Sequence, residues 1–432
     1  MRLHELDKLE NTSYRIYTNE PRNEANEGAI QQFINCMKHP NIVQGFLAPD
    51  FHQGYTFPIG TVVKVKDRIF PGGIGYDIGC GVACLELNIN YKDVDLEALK
   101  TYILKTIPVG FHKHSEPQDT SALDFTGTSV KLQDIFSQKG KHQLGTLGGG
   151  NHFIEVGYLE SNENIAIVIH SGSRGFGHGV ASHYMQEAAF ASSANTLNPL
   201  LFKWGRDFAK RNKGFKFNNL EGYRKAFKKF IATQKAQHMK KQDIEGLHSF
   251  DINSPLGKQY LADQNFCLDY ALLNRRAMIQ DIYLGILDQV AESQTLAIPK
   301  KIQFINRNHN HAELKDGYII HRKGATHAEK DMLGVIPGNM RDGSFIVKGK
   351  GNPDSLQSSS HGAGRVLSRK KAKATLDLAE FQAETAKLVT NHTDEMLDEA
   401  PGAYKDIFEV MRLQSDLVEV IDRVIPVLNI KG

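Results

Sequence analysis

A carboxylate and a thiol lie three residues apart in the glycine-rich segment PGGIGYDIGCG, at Asp77 and Cys80. Both side chains can reach one cation from such a loop, and a thiolate combined with carboxylate and imidazole suits zinc, manganese, iron or cobalt. Taken alone, the pair is more often a turn with a buried cysteine, because free cysteine is among the most buried residue types. Cys84, in the apolar run that follows, is interpreted as a core residue.

Three histidines lie where apolar runs meet glycine, serine or asparagine: His152 in GGGNHF, His170 in IAIVIHSG and His309 in NRNHNH. Sites collect at such strand ends in proteins that mix helices and strands. Any single one of them is more often a hydrogen-bonded structural residue. Together with Asp77 and Cys80, however, they supply five ligands, which is enough for two metal ions that share the thiolate.

His361 stands between small residues in the segment SSSHGAGRVLSR. A neutral imidazole can act as a nucleophile toward phosphorus, and small neighbours leave room for a bulky electrophile. Arg365 and Arg369 follow at a distance that allows bidentate binding of phosphate. The alternative interpretation is a glycine turn with a solvated histidine, and the residues alone do not separate the two.

Two further histidines occupy similar segments. His311 lies two residues after His309, and spacing alone does not decide which of them is the ligand. His52, in PDFHQGYTFPIG, is interpreted as structural or as a support for a ligand. The segment VIPGNMRDGSFIV (335–347) can bind a base or a phosphate, although a plain turn is the commoner role of Pro-Gly. The sequence has no GxxxxGK[ST] loop and no strand–GxGxxG–helix unit, so any nucleotide must be bound by another scheme.

A basic stretch, 203–241, carries thirteen lysines and arginines against Asp207 and Glu221. Interleaved aromatic residues make it a candidate contact for single-stranded nucleic acid. The alternative is a solvated helical face whose aromatic side chains point into the core. Arg275 and Arg276, on the next predicted helix, are expected to extend the same basic surface.

The composition is that of a folded, globular chain. It has 432 residues, of which 41% are hydrophobic and 23% charged, and a net charge of +3. These values exclude a disordered chain and a collagen-like fibre, and four cysteines in this length do not make a disulfide framework. The first residues do not resemble a signal peptide, and no run of 18 apolar residues is present. We therefore expect a soluble, cytoplasmic protein that does not enter a membrane.

Apolar periodicity and glycine turns predict a mixed α+β fold. Strands are predicted at 60–65, 82–87, 165–170, 301–305, 318–323 and 344–350, and a short final strand at the end of the chain. The segment 145–156 is predicted to be a glycine turn that enters a strand. Helices are predicted at 23–38, 93–108, within 180–290 (with a long one over 257–289) and from about 377, while 112–143 is expected to be rich in loops. Because the glycine and histidine segments are spread from 50 to 365, we expect one integrated domain over 1–432.

With these motifs in hand, the sequence closely resembles the RtcB family of RNA-splicing ligases. The matching segments, in the family's order, are DFHQGYTFPIG, GGIGYDIGCG, GGGNHFIEV, HSGSRGFGH, NHN, IPGNM, SSSHGAGRVLSR and the final Lys-Gly. They cover most of the chain from about residue 49. The resemblance implies a single large α+β domain of the RtcB type, with a site built from glycine-rich strand–loop junctions.

The resemblance also implies a chemistry. The family joins RNA ends that carry a 2′,3′-cyclic phosphate or 3′-phosphate to 5′-hydroxyl ends, using GTP and Mn²⁺, in splicing or repair of tRNA and other RNA. His361 would be the catalytic nucleophile that takes GMP from GTP, after which GMP passes to the RNA 3′-phosphate and leaves when the 5′-hydroxyl attacks. An activating protein partner and the identity of the RNA remain open.

The implied ligand sets follow residue by residue. One Mn²⁺ would be held by Asp77, Cys80 and His152, and the other by Cys80, His170 and His309. The guanylate would be contacted by Asn151, His152, Phe153, Ile154, Glu155, Asn310, Pro337, Gly338, Asn339, Met340, Ser344, His361, Gly362, Ala363, Gly364 and Lys431.

Departures from the family pattern leave room for a paralogue with a different end preference. The turn after IPGNM reads RDG where a small, glycine-rich stretch is expected, and Ser360 stands where the family often has cysteine. Two alternative functions also remain: a metal-dependent phosphoesterase or nuclease that uses the same cluster to activate water, and a non-catalytic RNA-binding protein.

Overall fold

The computed structural model of the protein describes residues 3–4, 8–9, 12–19, 26–192, 207, 229, 245–290 and 304–432. The predicted basic segment, 203–241, lies outside the described residues apart from positions 207 and 229. None of the helices in the described ranges is long and apolar enough to cross a membrane.

Eighteen strands are numbered in chain order within these ranges. They are β1 Leu3–His4, β2 Lys8–Leu9, β3 Thr12–Tyr17, β4 Ile42–His52, β5 Ile59–Val65, β6 Arg68–Ile69, β7 Gly81–Asn90, β8 Phe153–Leu159, β9 Asn164–Ser171, β10 Phe250–Asp251, β11 Phe304–Asn308, β12 Asn310–Lys315, β13 Tyr318–Lys323, β14 Ala325–His327, β15 Leu333–Pro337, β16 Ser344–Gly349, β17 Ser358–Ser360 and β18 Val418–Lys431.

Two of the α-helices in the described residues are long, and the others are short. They are α1 Glu27–Met37, α2 Pro71–Ile74, α3 Leu96–Thr106, α4 Val130–Ile135, α5 Lys141–Gln143, α6 Arg174–Ser192, α7 Pro255–Val290, α8 Arg369–Thr375, α9 Leu378–Glu384 and α10 Ile407–Leu413. Short 3₁₀ turns lie at Tyr91–Asp93, Pro353–Ser355, Asp394–Glu399 and Pro401–Ala403, and a π-helical turn spans Phe136–Gly140.

Two seven-stranded sheets form the framework. In the first, the strand order is β1-β3-β4-β5-β13-β12, with β2 also paired to β3. Only the β3–β4 pair of this sheet is parallel. Helix α1 covers this sheet with an apolar face that includes Ile30, Phe33 and Met37. The sheet brings the end of β4, the beginning of β12 and the end of β13 toward one region.

The second sheet has the order β11-β7-β9-β8-β18-β16-β15, and all of its pairs are antiparallel. The central strands β7 and β9 are apolar on both faces because both faces are covered. Ile167 and Ile169 pack with the buried residues Leu99 of α3 and Ile282 of α7. Val168 points to the opposite face and packs with another apolar cluster. Strand alternation therefore places His170, two residues after Val168, on that second face.

The mixed α+β class predicted from the sequence is confirmed, but two regions differ from expectation. The tail was expected to be helical from about 377, yet its helices are short and end at Leu413, and the last element is the 14-residue strand β18. Because β18 hydrogen-bonds to β16 on one side and to β8 on the other, pairing within the sheet decides its structure. Residues 112–143, expected to be loops, also contain the helices α4 and α5.

Candidate functional site

A cleft of about 750 Å³ is lined by residues of both sheets. Most of the residues singled out from the sequence line it: Asp77, Cys80, Asn151, Phe153, Glu155, His170, His309, Asn310, Pro337, Gly338, Asn339, Met340, His361, Gly362, Ala363, Gly364 and Lys431. His152, Ile154 and Ser344 are not part of the lining. Segments that are far apart in the sequence thus meet at one place.

Three side chains that were predicted as metal ligands meet at the floor of this cleft. The Sγ atom of Cys80 lies 3.2 Å from Nε2 of His170, and that nitrogen lies 3.3 Å from Nε2 of His309. All three residues are buried, and their ligating atoms lie within 4.8 Å of one another. The elements explain the meeting: Cys80 directly precedes β7, His170 is near the end of the paired strand β9, and His309 is the single residue between β11 and β12.

A second group shares the same thiol. Cys80 Sγ lies 3.4 Å from Nε2 of His152, and this nitrogen lies 3.0 Å from Oδ2 of Asp77. Again the three ligating atoms lie within 4.8 Å of one another. His152 directly precedes β8, beside β9 in the sheet. The five residues predicted as ligands therefore form two overlapping groups with Cys80 in both.

The imidazoles of His152 and His170 direct their Nε2 atoms toward the position of a cation. Nδ1 of His152 lies 3.1 Å from the carbonyl oxygen of Leu147, and Nδ1 of His170 lies 3.1 Å from that of Asn151. Each Nδ1–H can therefore donate to a backbone carbonyl, which leaves the Nε2 lone pair free for a metal. This donor set of thiolate, carboxylate and imidazole fits two divalent ions of the first transition row.

Burial disfavours the charged form of the histidines of the first group. It lowers the pKa of His170 and His309 well below the ordinary histidine value, and neighbouring imidazoles add to the effect. Burial, together with the charge of Asp77, raises the pKa of the Cys80 thiol well above its usual range. A metal ion would therefore displace a proton from Cys80 when it binds.

His361 is held from behind by a carboxylate that the sequence reasoning did not identify. Oδ2 of Asp50 lies 2.6 Å from Nδ1 of His361 and also accepts hydrogen bonds from the backbone N–H groups of His361 and Gly362. Burial by itself raises the pKa of Asp50, but attraction to His361 outweighs it and the pKa lies below its ordinary value. Asp50 accordingly fixes the proton on Nδ1 and leaves Nε2 as the free nitrogen.

Two glycines allow the close approaches on which this arrangement depends. Gly364 has φ +76°, and a Cβ atom there would lie 2.0 Å from the carbonyl oxygen of Asp50. A Cβ atom on Gly172 would lie 2.3 Å from Oδ1 of Asp77. Any larger side chain at either position would push a functional carboxylate or its backbone out of place.

A cluster of cations borders the cleft and is organised by one buried acid, Glu399. Its carboxylate lies 3.1 Å from Arg365, 2.8 Å from Arg369 and 3.1 Å from Lys431, and it accepts a hydrogen bond from the hydroxyl of Tyr404. Burial alone raises the pKa of Glu399, but these cations outweigh it and hold the pKa below the ordinary value. The basic residues of the rim outnumber its two acids, Glu399 and Asp398, so the rim carries net positive charge and favours an anion.

The strand β8 divides its residues between the cleft and the core, as strand alternation requires. Phe153 and Glu155 line the cleft, whereas Ile154 packs in the core on the opposite face and can offer a ligand only its backbone. Ser344 is fully buried and donates a 2.8 Å hydrogen bond to Glu155 Oε1. It contributes to the cleft by orienting that carboxylate.

A third potential metal group combines His311 and Glu313 of β12, in the first sheet, with His327 of β14, which pairs with β17 in a separate two-stranded sheet. Arg322 already occupies it: its Nη1 atom donates to Glu313 at 2.5 Å and lies 3.3 Å from Nε2 of His311. The guanidinium supplies the positive charge that a metal ion would bring. The geometry thus separates the two neighbouring histidines, placing His309 with Cys80 and His311 in an ion-pair network.

Several other positions differ from the sequence-based expectation or were missed. Arg275, expected on a basic surface, is fully buried, and only Arg276 is exposed. His52, interpreted as structural, lines the cleft, as does Lys323, which was not singled out. The missed Asp50 lies in the quoted segment PDFHQGYTFPIG, and an acid directly after the apolar run FLAP was the available signal.

The environment of Glu155 generates a test of stability. Burial raises its pKa to about 7, although Ser344 and Lys431 partly oppose the shift. Between the ordinary glutamate pKa and 7, the unfolded chain releases a proton that the folded protein keeps, so the folded state loses stability as the pH rises. We expect Glu155→Gln to remove this loss, and the stability of the variant relative to the original to increase by about 1–3 kcal/mol from pH 5 to pH 8. Unfolding measured at both pH values checks this, and an unchanged difference would contradict it.

Comparison with known proteins agrees with the motifs. Residues 32–131 and 118–432 match the family described as tRNA-splicing ligase RtcB. The chain is 32% identical to the RNA-splicing ligase RtcB of Escherichia coli (strain K12), over 99% of this chain and 100% of that protein. It is 28% identical to the tRNA-splicing ligase RtcB of Aeropyrum pernix, over 84% of this chain and 82% of that protein. The chain therefore belongs to the RtcB family of RNA-splicing ligases.

Proposed function

We propose that this protein is a GTP-dependent RNA ligase that joins 2′,3′-cyclic phosphate or 3′-phosphate ends of RNA to 5′-hydroxyl ends. The observation that carries the proposal is the setting of His361. Its ring lies 4.7 Å from that of His309, centre to centre, and Asp50 holds its far side. The free nitrogen therefore belongs to a histidine that stands directly beside the metal-binding group.

Two Mn²⁺ ions are the metals proposed for the two groups: one on Asp77, Cys80 and His152, the other on Cys80, His170 and His309. When bound, they would neutralise charge on the phosphates during transfer. The glycine-rich strand–loop junctions that carry these residues form the proposed site, and the whole chain, 1–432, is proposed as one catalytic domain.

His361 is the proposed nucleophile. Its Nε2 lone pair attacks the α-phosphorus of GTP, a P–N bond forms, and the bond to pyrophosphate breaks. The imidazole gains positive charge in this step, and the Asp50 carboxylate at Nδ1 stabilises it. Because Asp50 is already fixed by two backbone N–H groups, little reorganisation accompanies the reaction.

The remaining residues of the cleft bind the guanylate and the RNA. Glu155 and Lys431 are proposed to contact GMP together with the loops 337–340 and 362–364. The arginines held by Glu399 are proposed to bind phosphate. GMP would pass from His361 to the RNA 3′-phosphate, and the 5′-hydroxyl would then attack that phosphate with GMP as the leaving group. The contact of the basic segment 203–241 with RNA stays a prediction.

Labelling with GTP tests the nucleophile. Incubation with GTP labelled at the α-phosphate and Mn²⁺ is expected to leave acid-labile label on the denatured protein. His361→Ala should abolish the label, whereas His112→Ala, an exposed histidine outside the cleft, should retain it. Label that persists in the His361 variant would show that His361 is not the nucleophile. RNA hydrolysis that persists there without GTP would instead favour a metal-dependent phosphoesterase or nuclease.

A second substitution tests the role of Asp50. In Asp50→Asn, the amide can turn its N–H toward Nδ1 and place the imidazole proton on Nε2, which removes the nucleophilic lone pair. We expect the rate of guanylylation to fall about 10²–10⁴-fold, with Mn²⁺ binding unchanged. Single-turnover labelling together with a metal titration measures both. Labelling at the original rate would show that the carboxylate does not set the state of His361.

A further inference from the structure

A guanidinium lies fully buried behind the metal-binding groups, on the long helix α7. Arg275 has none of its surface exposed. Within the described part of the chain, no acidic side chain lies within ion-pairing distance of it. Burying a charged group without a paired acid costs free energy, and hydrogen bonds to the group must offset this cost.

The hydrogen bonds of Arg275 reach three separate segments. Nη1 donates to the carbonyl oxygens of Gly79 and Ser171, at 2.9 and 2.8 Å. Nη2 donates to the side-chain oxygen of Asn308 at 2.6 Å, and Nε donates to that of Asn306 at 2.7 Å. One planar side chain thus links the loop before β7, the end of β9 and the strand β11.

Three of the residues that Arg275 contacts are direct sequence neighbours of predicted metal ligands. Gly79 precedes Cys80, Ser171 follows His170, and Asn308 precedes His309. The three residues next to these contacts, Cys80, His170 and His309, are all the members of one metal group. The other group has only Cys80 in common with it, and Arg275 makes no hydrogen bond to residues adjacent to Asp77 or His152.

The neighbouring residue holds a different part of the site. Asn274 accepts from the backbone N–H of Thr146 at 3.2 Å and donates to the carbonyl oxygen of Thr146 at 3.1 Å. It therefore fixes the loop that leads to His152. Asn274 also donates to Oγ of Ser171 and to the carbonyl oxygen of Gly172, at 3.2 and 3.3 Å, so it links that loop to the end of β9. Only Arg275 of the two contacts residues next to all three of Cys80, His170 and His309.

We propose that Arg275 is a positioning residue for the metal ion held by Cys80, His170 and His309, and that it sets the separation of these three ligands through the backbone and side chains next to them. This inference rests on the proposed two-ion site. A lysine cannot replace it, because one ammonium group cannot span the divergent acceptors that the planar fork reaches.

Metal binding, measured apart from ligation, tests this role. The metal-free full chain would be titrated with Mn²⁺ while the electron paramagnetic resonance signal of free Mn²⁺ is recorded, for the original protein, Arg275→Lys and Arg275→Met. Arg276→Met is the matched control, since this arginine is the next residue of the same helix and is exposed. Thermal unfolding of each metal-free variant reports stability separately.

We expect the original protein and the Arg276 variant to bind two ions. Both Arg275 variants should keep one ion at near-original affinity and bind the second about 10–100-fold more weakly. A folded Arg275 variant that binds both ions with original affinity, or loses both equally, would overturn the proposal and leave Arg275 a purely structural residue. An original protein that binds fewer than two ions would overturn the two-ion site itself, and this inference with it.

A milder substitution keeps the test decisive if Arg275 variants do not fold. Asn308→Ala removes a single contact of the guanidinium, beside His309, and the side chain is only partly buried. We expect the same selective weakening of one ion, smaller in size. Unchanged binding of both ions in this folded variant would count against the proposal.

Discussion

The passage of the chain from one sheet to the other at His309 is the constraint on which the rest of the site depends. Strand β11 belongs to the second sheet and β12 to the first, and only His309 lies between them. The loop before β7 is fastened to this crossing by two backbone hydrogen bonds, from His309 to Cys80 and from Gly79 to Asn310. The position of the Cys80 thiol, which is common to both groups, is therefore set by main-chain geometry.

The cleft separates two electrostatic environments. At its floor, burial lowers the pKa of His170 and His309 and raises that of Cys80, because it disfavours the charged form of each group. Its rim holds arginines and a lysine that share buried acidic partners. The positive charge of the cleft is therefore concentrated at its rim, where it favours an anion.

The sequence was informative where chemistry and pattern coincide. Apolar runs that end in Cys, His or Gly predicted the strand–loop junctions. The structure brings four of the five predicted ligands and His361 to the lining of one cleft, and it places the fifth, His152, beside Asp77 and Cys80. Bounds of the regular strands were close, as in 60–65 against Ile59–Val65. In the tail, the helical start near 377 and a final strand were predicted, but that strand is longer and the helices shorter than expected. The sheet partners of this strand lie far away in the sequence, and pairing with them overrides local pattern.

The supporting residues were not predictable for a different reason. Asp50 acts on a histidine 311 positions later, and no local pattern records that contact. Arg275 and Arg276 look alike in the sequence, and α7 has buried residues along its whole length, so periodicity does not show which arginine faces inward. Glu399 organises the rim through tertiary contacts alone.

The residues of the site are spread along most of the chain, which has a consequence for folding. Its cleft takes residues from 52 to 431, and the strand that carries Lys431 pairs with the strand beginning at Phe153. Contacts between such distant segments close large loops, which slows folding relative to local structure. No nascent or partly folded chain that lacks β18 contains the complete pocket. The proposed chemistry therefore requires that β18 has already paired with β8.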